Sequence, residues 1–74
     1  MPYINVTLAT GRTREAKQTL MSAIAEAVHE TIDAPLETVR VWITEVDAED
    51  MSIGGVPLDE VRRRRAAEAG PTAQ

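Results

Sequence analysis

The chain has 74 residues, no cysteine, no phenylalanine, one tryptophan and one tyrosine, which excludes disulfide or thiolate-metal staples and leaves an aliphatic core. A net charge of −4 argues against a general nucleic-acid binder, and no run of about 18 apolar residues is present to cross a membrane. One small domain is expected, and because a chain this short without staples needs partners to be stable, a homo-oligomer is expected too.

The chain opens MPYINVTLATGR. Over residues 3–8, Ile4, Val6 and Leu8 point one way and Tyr3, Asn5 and Thr7 the other, the period of a half-buried strand. Gly11 marks a turn, and Thr13 suits the N-cap of a helix. From 14 to about 31 the apolar residues Ala16, Leu20, Ala23, Ile24, Ala27 and Val28, with Ile32 just beyond, recur at helical spacing and form one stripe. Arg14, Lys17, Gln18, Ser22, Glu26, His29 and Glu30 fall on the other side. Asp33-Ala34-Pro35 stops the helix, since proline restrains the residue before it and cannot extend the ladder.

Residues 39–46 (VRVWITEV) read as a second strand rich in β-branched side chains. Val39, Val41 and Ile43 share one face; Arg40, Trp42, Thr44 and Val46 share the other. Strand, helix, strand predicts a right-handed βαβ unit with parallel strands. Residues 47–56 predict a loop and a short hairpin or edge segment around Gly54-Gly55. Residues 58–69 predict a short helical turn, and 70–74 a disordered tail. The expected fold is α/β (α+β): a single βαβ domain over 1–56 with a C-terminal arm over 57–74. Two strands and one helix make a poor globule, so another chain must complete the sheet.

Little of the sequence carries chemistry. It holds no Ser/His/Asp constellation, no nucleotide-binding glycine loop and no metal-ligand pattern, so neither cofactor nor metal is expected. His29, the sole histidine, reads as a solvated residue of the polar helix face. Glu45, Asp47, Glu49 and Asp50 lack the spacing of a calcium loop and read as a solvated loop. Arg62 to Arg65 read as a solvated basic patch. With no basic, apolar leader at the N-terminus, a cytoplasmic location is expected.

The N-terminus is different. A methionine before proline is normally removed, which exposes the secondary amine of Pro2. Apolar surroundings and nearby cations disfavour the charged form of an amine, and an amine neutral near pH 7 is a usable general base. Pro2 shares the parity of Ile4 and Val6 and so lies beside apolar surface. Arg12 and Arg40 stand near the strand ends, and guanidinium binds carboxylate bidentately. Proline base plus two arginines suits a small dicarboxylate with a mobile proton. The bland alternatives are a proline that merely starts a strand, a turn arginine at 12, and an Arg40 paired with Glu37 or Glu45.

Pro2 leading a strand, Gly11-Arg12, DAPLETVRV over 33–41, ITE over 43–45 and IGG over 53–55 together resemble the 4-oxalocrotonate tautomerase family. The resemblance covers nearly all of the chain up to about residue 56. It implies a homohexamer, a trimer of βαβ dimers, with sites shared between subunits. It implies that Pro2 moves a proton along a dienol or unsaturated keto acid, typically 2-hydroxymuconate in aromatic catabolism. Arg40 would hold one carboxylate and the adjacent enol oxygen, and Arg12 the far carboxylate, with Ala9 and Met51 contacting substrate and no cofactor needed. Met51 stands where the family has a phenylalanine. MSI over 51–53 is also similar to one subunit of the heterohexameric trans-3-chloroacrylic acid dehalogenases. The water-activating glutamate of that enzyme's other subunit is not found beside these residues. Two alternatives follow: a subunit of such a heterohexamer, and a non-catalytic assembly module.

Overall fold

The computed structural model describes residues 1–69. Strands β1 (Tyr3–Ala9) and β2 (Arg40–Val46) pair in parallel, in a register running from Tyr3↔Arg40 to Ala9↔Val46. Helix α1 (Arg14–Ile32) makes the crossover between them and packs on β2. A 3-10 turn, Leu36–Thr38, leads into β2, and a second, Ala48–Asp50, leaves it. Strands β3 (Ser52–Ile53) and β4 (Val56–Pro57) form a small antiparallel hairpin, and helix α2 (Leu58–Ala69) follows directly.

Local chemistry explains these limits. The Thr13 hydroxyl accepts the Ala16 amide at 3.1 Å, capping one of the free N–H groups of α1. The other end stops at Asp33, in the left-handed region with φ 59°, and Pro35 prevents further turns. The hairpin turns on Gly54 and Gly55, both at positive φ, where only glycine is free of strain. The Leu58 amide donates to the Met51 carbonyl at 2.7 Å, tying the start of α2 to the base of the hairpin.

The βαβ unit, the Thr13 cap and the hairpin match the expectation from sequence; three details do not. The inward stripe of α1 is rotated: Lys17, Leu20, Met21, Ile24, Ala25, Val28 and His29 are half-buried, while Ala16, Ala23, Ala27 and Ile32 are exposed. Lys17 turns inward because its stem covers apolar surface while its amine meets Glu45 at 3.2 Å. His29 is not a solvated surface residue; Nδ1 lies 2.6 Å from the Ala34 carbonyl, beyond the helix end. The expected helical turn of residues 58–69 is a full helix of 12 residues. Its arginines supply the reason, since Arg63 and Arg64 both pair with Glu60, one turn back. The expected tail, 70–74, lies outside the described residues.

Burial is slight. Among the described residues Ala9 alone is buried, at 8% exposure. The radius of gyration is 16.5 Å, against about 11 Å for a compact chain of this length. A single copy has hardly any core.

Candidate functional site

Pro2 immediately precedes β1 and is half-buried, on the parity of Ile4 and Val6. Its carbonyl accepts the Arg40 amide at 3.0 Å, so Pro2 and Arg40 are neighbours at one end of the sheet. Their side chains leave on opposite faces. Arg40 is registered with Tyr3, not Pro2, and directly opposed residues of paired strands share a face. The Arg40 guanidinium is exposed and donates from Nη1 to the Glu37 carbonyl at 3.0 Å. The expected alternative of a carboxylate partner is therefore corrected. Glu37 offers its backbone, and the Glu45 carboxylate is held by Lys17. The 3-10 turn thus aims the arginine and leaves its charge without an anion.

Ala9 and Arg12 lie at the other end. Ala9 closes the β1–β2 register opposite Val46. The Thr10 amide donates to the Val46 carbonyl at 3.0 Å, and the Thr10 hydroxyl to Asp47 Oδ1 at 3.0 Å. These bonds fix the exit of β1. Gly11 follows at φ 123°, a conformation that suits glycine, and turns the chain toward α1. Arg12 is exposed and makes no ion pair among the described residues. Met51, half-buried, lies beyond the C-terminal end of β2, after the second 3-10 turn.

The five candidates thus split into two groups. Pro2 and Arg40 sit where the strands begin; Ala9, Arg12 and Met51 sit where they end. The seven-residue β1 between Pro2 and Arg12 spans about 20 Å at ~3.3 Å per residue. No arginine side chain crosses that distance, so one copy does not bring Pro2 and Arg12 together. The chain's main concavity, of about 540 Å³, lies elsewhere, along the free edge of β2 between Arg14, Lys17, Met21, Trp42 and Glu45. Sequence reading missed both this groove and the split, since strand register has no signature in residue types.

Of the acidic residues, Asp47, Glu49 and Asp50 do cluster, with carboxylate oxygens within 4.8 Å of one another, all exposed; Glu45 has left them for Lys17. The Arg63 and Arg64 side chains, chiefly Arg63, hold the Glu60 carboxyl below its ordinary range. Among the described residues no helix is long and apolar enough to cross a membrane.

The Tautomerase enzyme family matches residues 2–60. A 2-hydroxymuconate tautomerase of Pseudomonas sp. strain CF600 is 46% identical over 63 residues, covering 85% of this chain and all of that protein. Among solved structures, TomN, a 4-oxalocrotonate tautomerase homologue of the tomaymycin biosynthetic pathway, superposes with a TM-score of 0.83 at 37% identity, over 88% of this chain and all of TomN. A chain of the heterohexameric 4-oxalocrotonate tautomerase of Chloroflexus aurantiacus J-10-fl gives 0.79 at 34% identity, over 84% of this chain and all of that one.

Proposed function

This chain belongs to the tautomerase family and is an isomerase of that family, and we propose that it moves a proton in a small enol or unsaturated keto acid of the 2-hydroxymuconate kind. The base is the secondary amine of Pro2, freed when Met1 is removed. It takes the proton from the enol hydroxyl and returns it to carbon, with the double bonds shifting between. Arg40 holds one carboxylate and the enol oxygen. Arg12 holds the far carboxylate and draws electron density toward it. Ala9 and Met51 supply apolar walls, and no cofactor takes part. Residues 1–56 are the catalytic unit and 57–74 an arm, in a cytoplasmic homohexamer built as a trimer of dimers.

The observation that carries this reading is the split of the candidates between the two ends of β1. A twofold-related copy running antiparallel would set the Pro2–Arg40 end of one chain beside the Ala9–Arg12 end of the other. Each pair of chains then makes two sites, each with a base, two cations and an apolar wall. Both cations and the apolar wall lower the pKa of the amine, by repelling its proton and by desolvating it. Neither the β1 nor the β2 edge has a second partner within the chain, and open edges invite another copy.

The test is ketonisation of 2-hydroxymuconate or phenylenolpyruvate, followed by ultraviolet absorbance, with wild type beside Pro2→Ala. A general base contributes about 10²–10⁴-fold, and a loss of that size is expected. Equal rates for the two proteins would remove Pro2 from the mechanism and favour a non-catalytic assembly module.

A further inference from the structure

The face of the β1–β2 sheet opposite α1 is bare. Tyr3, Asn5, Thr7, Arg40, Trp42 and Thr44 lie on it, and all six are exposed. It holds both aromatic side chains of the molecule, Tyr3 at 65% and Trp42 at 46% exposure. Parallel strands occur almost only with both faces covered. Here α2 packs on the hairpin and the second 3-10 turn instead, so among the described residues no element of the chain covers this face. An antiparallel copy along a strand edge would lengthen the sheet and still leave the face open.

We propose that this face seats further copies of the same chain, so that the assembly exceeds a dimer, with Tyr3 and Trp42 as its apolar anchors and Arg40 carried to the seam. The proposal rests on the shared site argued above, which already requires a second copy. The composition of the face points to the same occupant. The chain has 12 acidic residues, yet none lies on this face, and Arg40 is its single charge. Interface centres are depleted of charge and enriched in Tyr, Trp and Arg. Its polar end arrives already paired, since Asn5 Nδ2 donates to the Thr44 hydroxyl at 2.9 Å. Two such faces meet without like-charge conflict away from Arg40.

Trp42 is the sole tryptophan, so its fluorescence reports this face alone. The untagged chain, purified by itself, is examined by sedimentation velocity and by acrylamide quenching. The expected result is a species larger than a dimer whose emission lies to the blue of the denatured chain, with quenching several-fold weaker. Trp42→Lys is expected to sediment as a dimer, its assembly weakened by more than about tenfold, as for loss of a buried aromatic anchor. Trp42→Phe is expected to keep the larger species. Should Trp42→Lys fail to fold, wild-type quenching and Trp42→Phe still decide. The proposal is overturned by a wild type no larger than a dimer, by Trp42 as accessible as in the denatured chain, by Trp42→Lys sedimenting unchanged, or by assembly only after a different chain is added. None of these readouts uses catalysis, so failure of the tautomerase reading at Pro2→Ala remains a separate result.

Discussion

Two inactive proteins should restore each other if Pro2 and Arg12 serve one site from different chains. Pro2→Ala removes the base, a loss of about 10²–10⁴-fold. Arg12→Ala removes a charge-assisted bond to carboxylate, worth about 1.5–3 kcal/mol, or about tenfold to a hundredfold in kcat/KM. The two proteins are unfolded together in equal amounts and refolded. Half of the random pairs are then mixed. In each mixed pair one site combines the intact Pro2 of one chain with the intact Arg12 of the other, and the second site has lost both. About a quarter of all sites are whole, so about a quarter of wild-type activity is expected. The assay is ketonisation of 2-hydroxymuconate at fixed total protein. The ~20 Å spanned by β1 makes the outcome sharp, because a site within one chain could never be restored. Activity no higher than the mean of the two parents would refute the shared site.

Other perturbations test the frame around the site. Thr13→Ala deletes the cap on the Ala16 amide and should cost about 1 kcal/mol in urea unfolding, compared at one protein concentration because assembly makes stability depend on it. Gly55→Ala adds a methyl that meets nothing within 4 Å, but at φ +89°; backbone strain of about 1–2 kcal/mol should lower the melting temperature without a steric clash. Glu60 titrates below its ordinary value through its pairs with Arg63 and Arg64. Its support of α2 is therefore complete above the ordinary glutamate pKa of about 4.3, and is lost as pH falls through the lower, folded value. Amide exchange in α2 should quicken over that range, in a step that Glu60→Gln abolishes and added salt weakens.

The parts legible in the sequence were those with a local cause. The alternation of residues 3–8 survives unchanged as exposure along β1, and Thr13 caps α1 through a bond to a residue three positions on. The rotation of α1 was hidden because its stripe leaned on Ala16, Ala23 and Ala27, methyl groups too small to decide a face. Lys17 and Met21 took the inward positions through their long stems. The length of α2 was hidden because four successive arginines carry no apolar period; charge pairs one turn apart hold it. Pro2, Arg12 and Arg40 could be singled out as residue types, but their division between the ends of a parallel pair depends on register. Register is set by which β1 residue meets Arg40, a long-range fact with no trace in spacing.

The central claim is that an amine, not merely a proline ring, does the chemistry. The direct measurement compares two preparations whose intact masses are known: one lacking Met1, and one with a single residue retained ahead of Pro2. Both keep every side chain named above, but in the second the Pro2 nitrogen is an amide and has no basic lone pair. The account predicts the same sedimentation for both and turnover of 2-hydroxymuconate only by the first. Equal turnover by the two would contradict it and move the base to another residue.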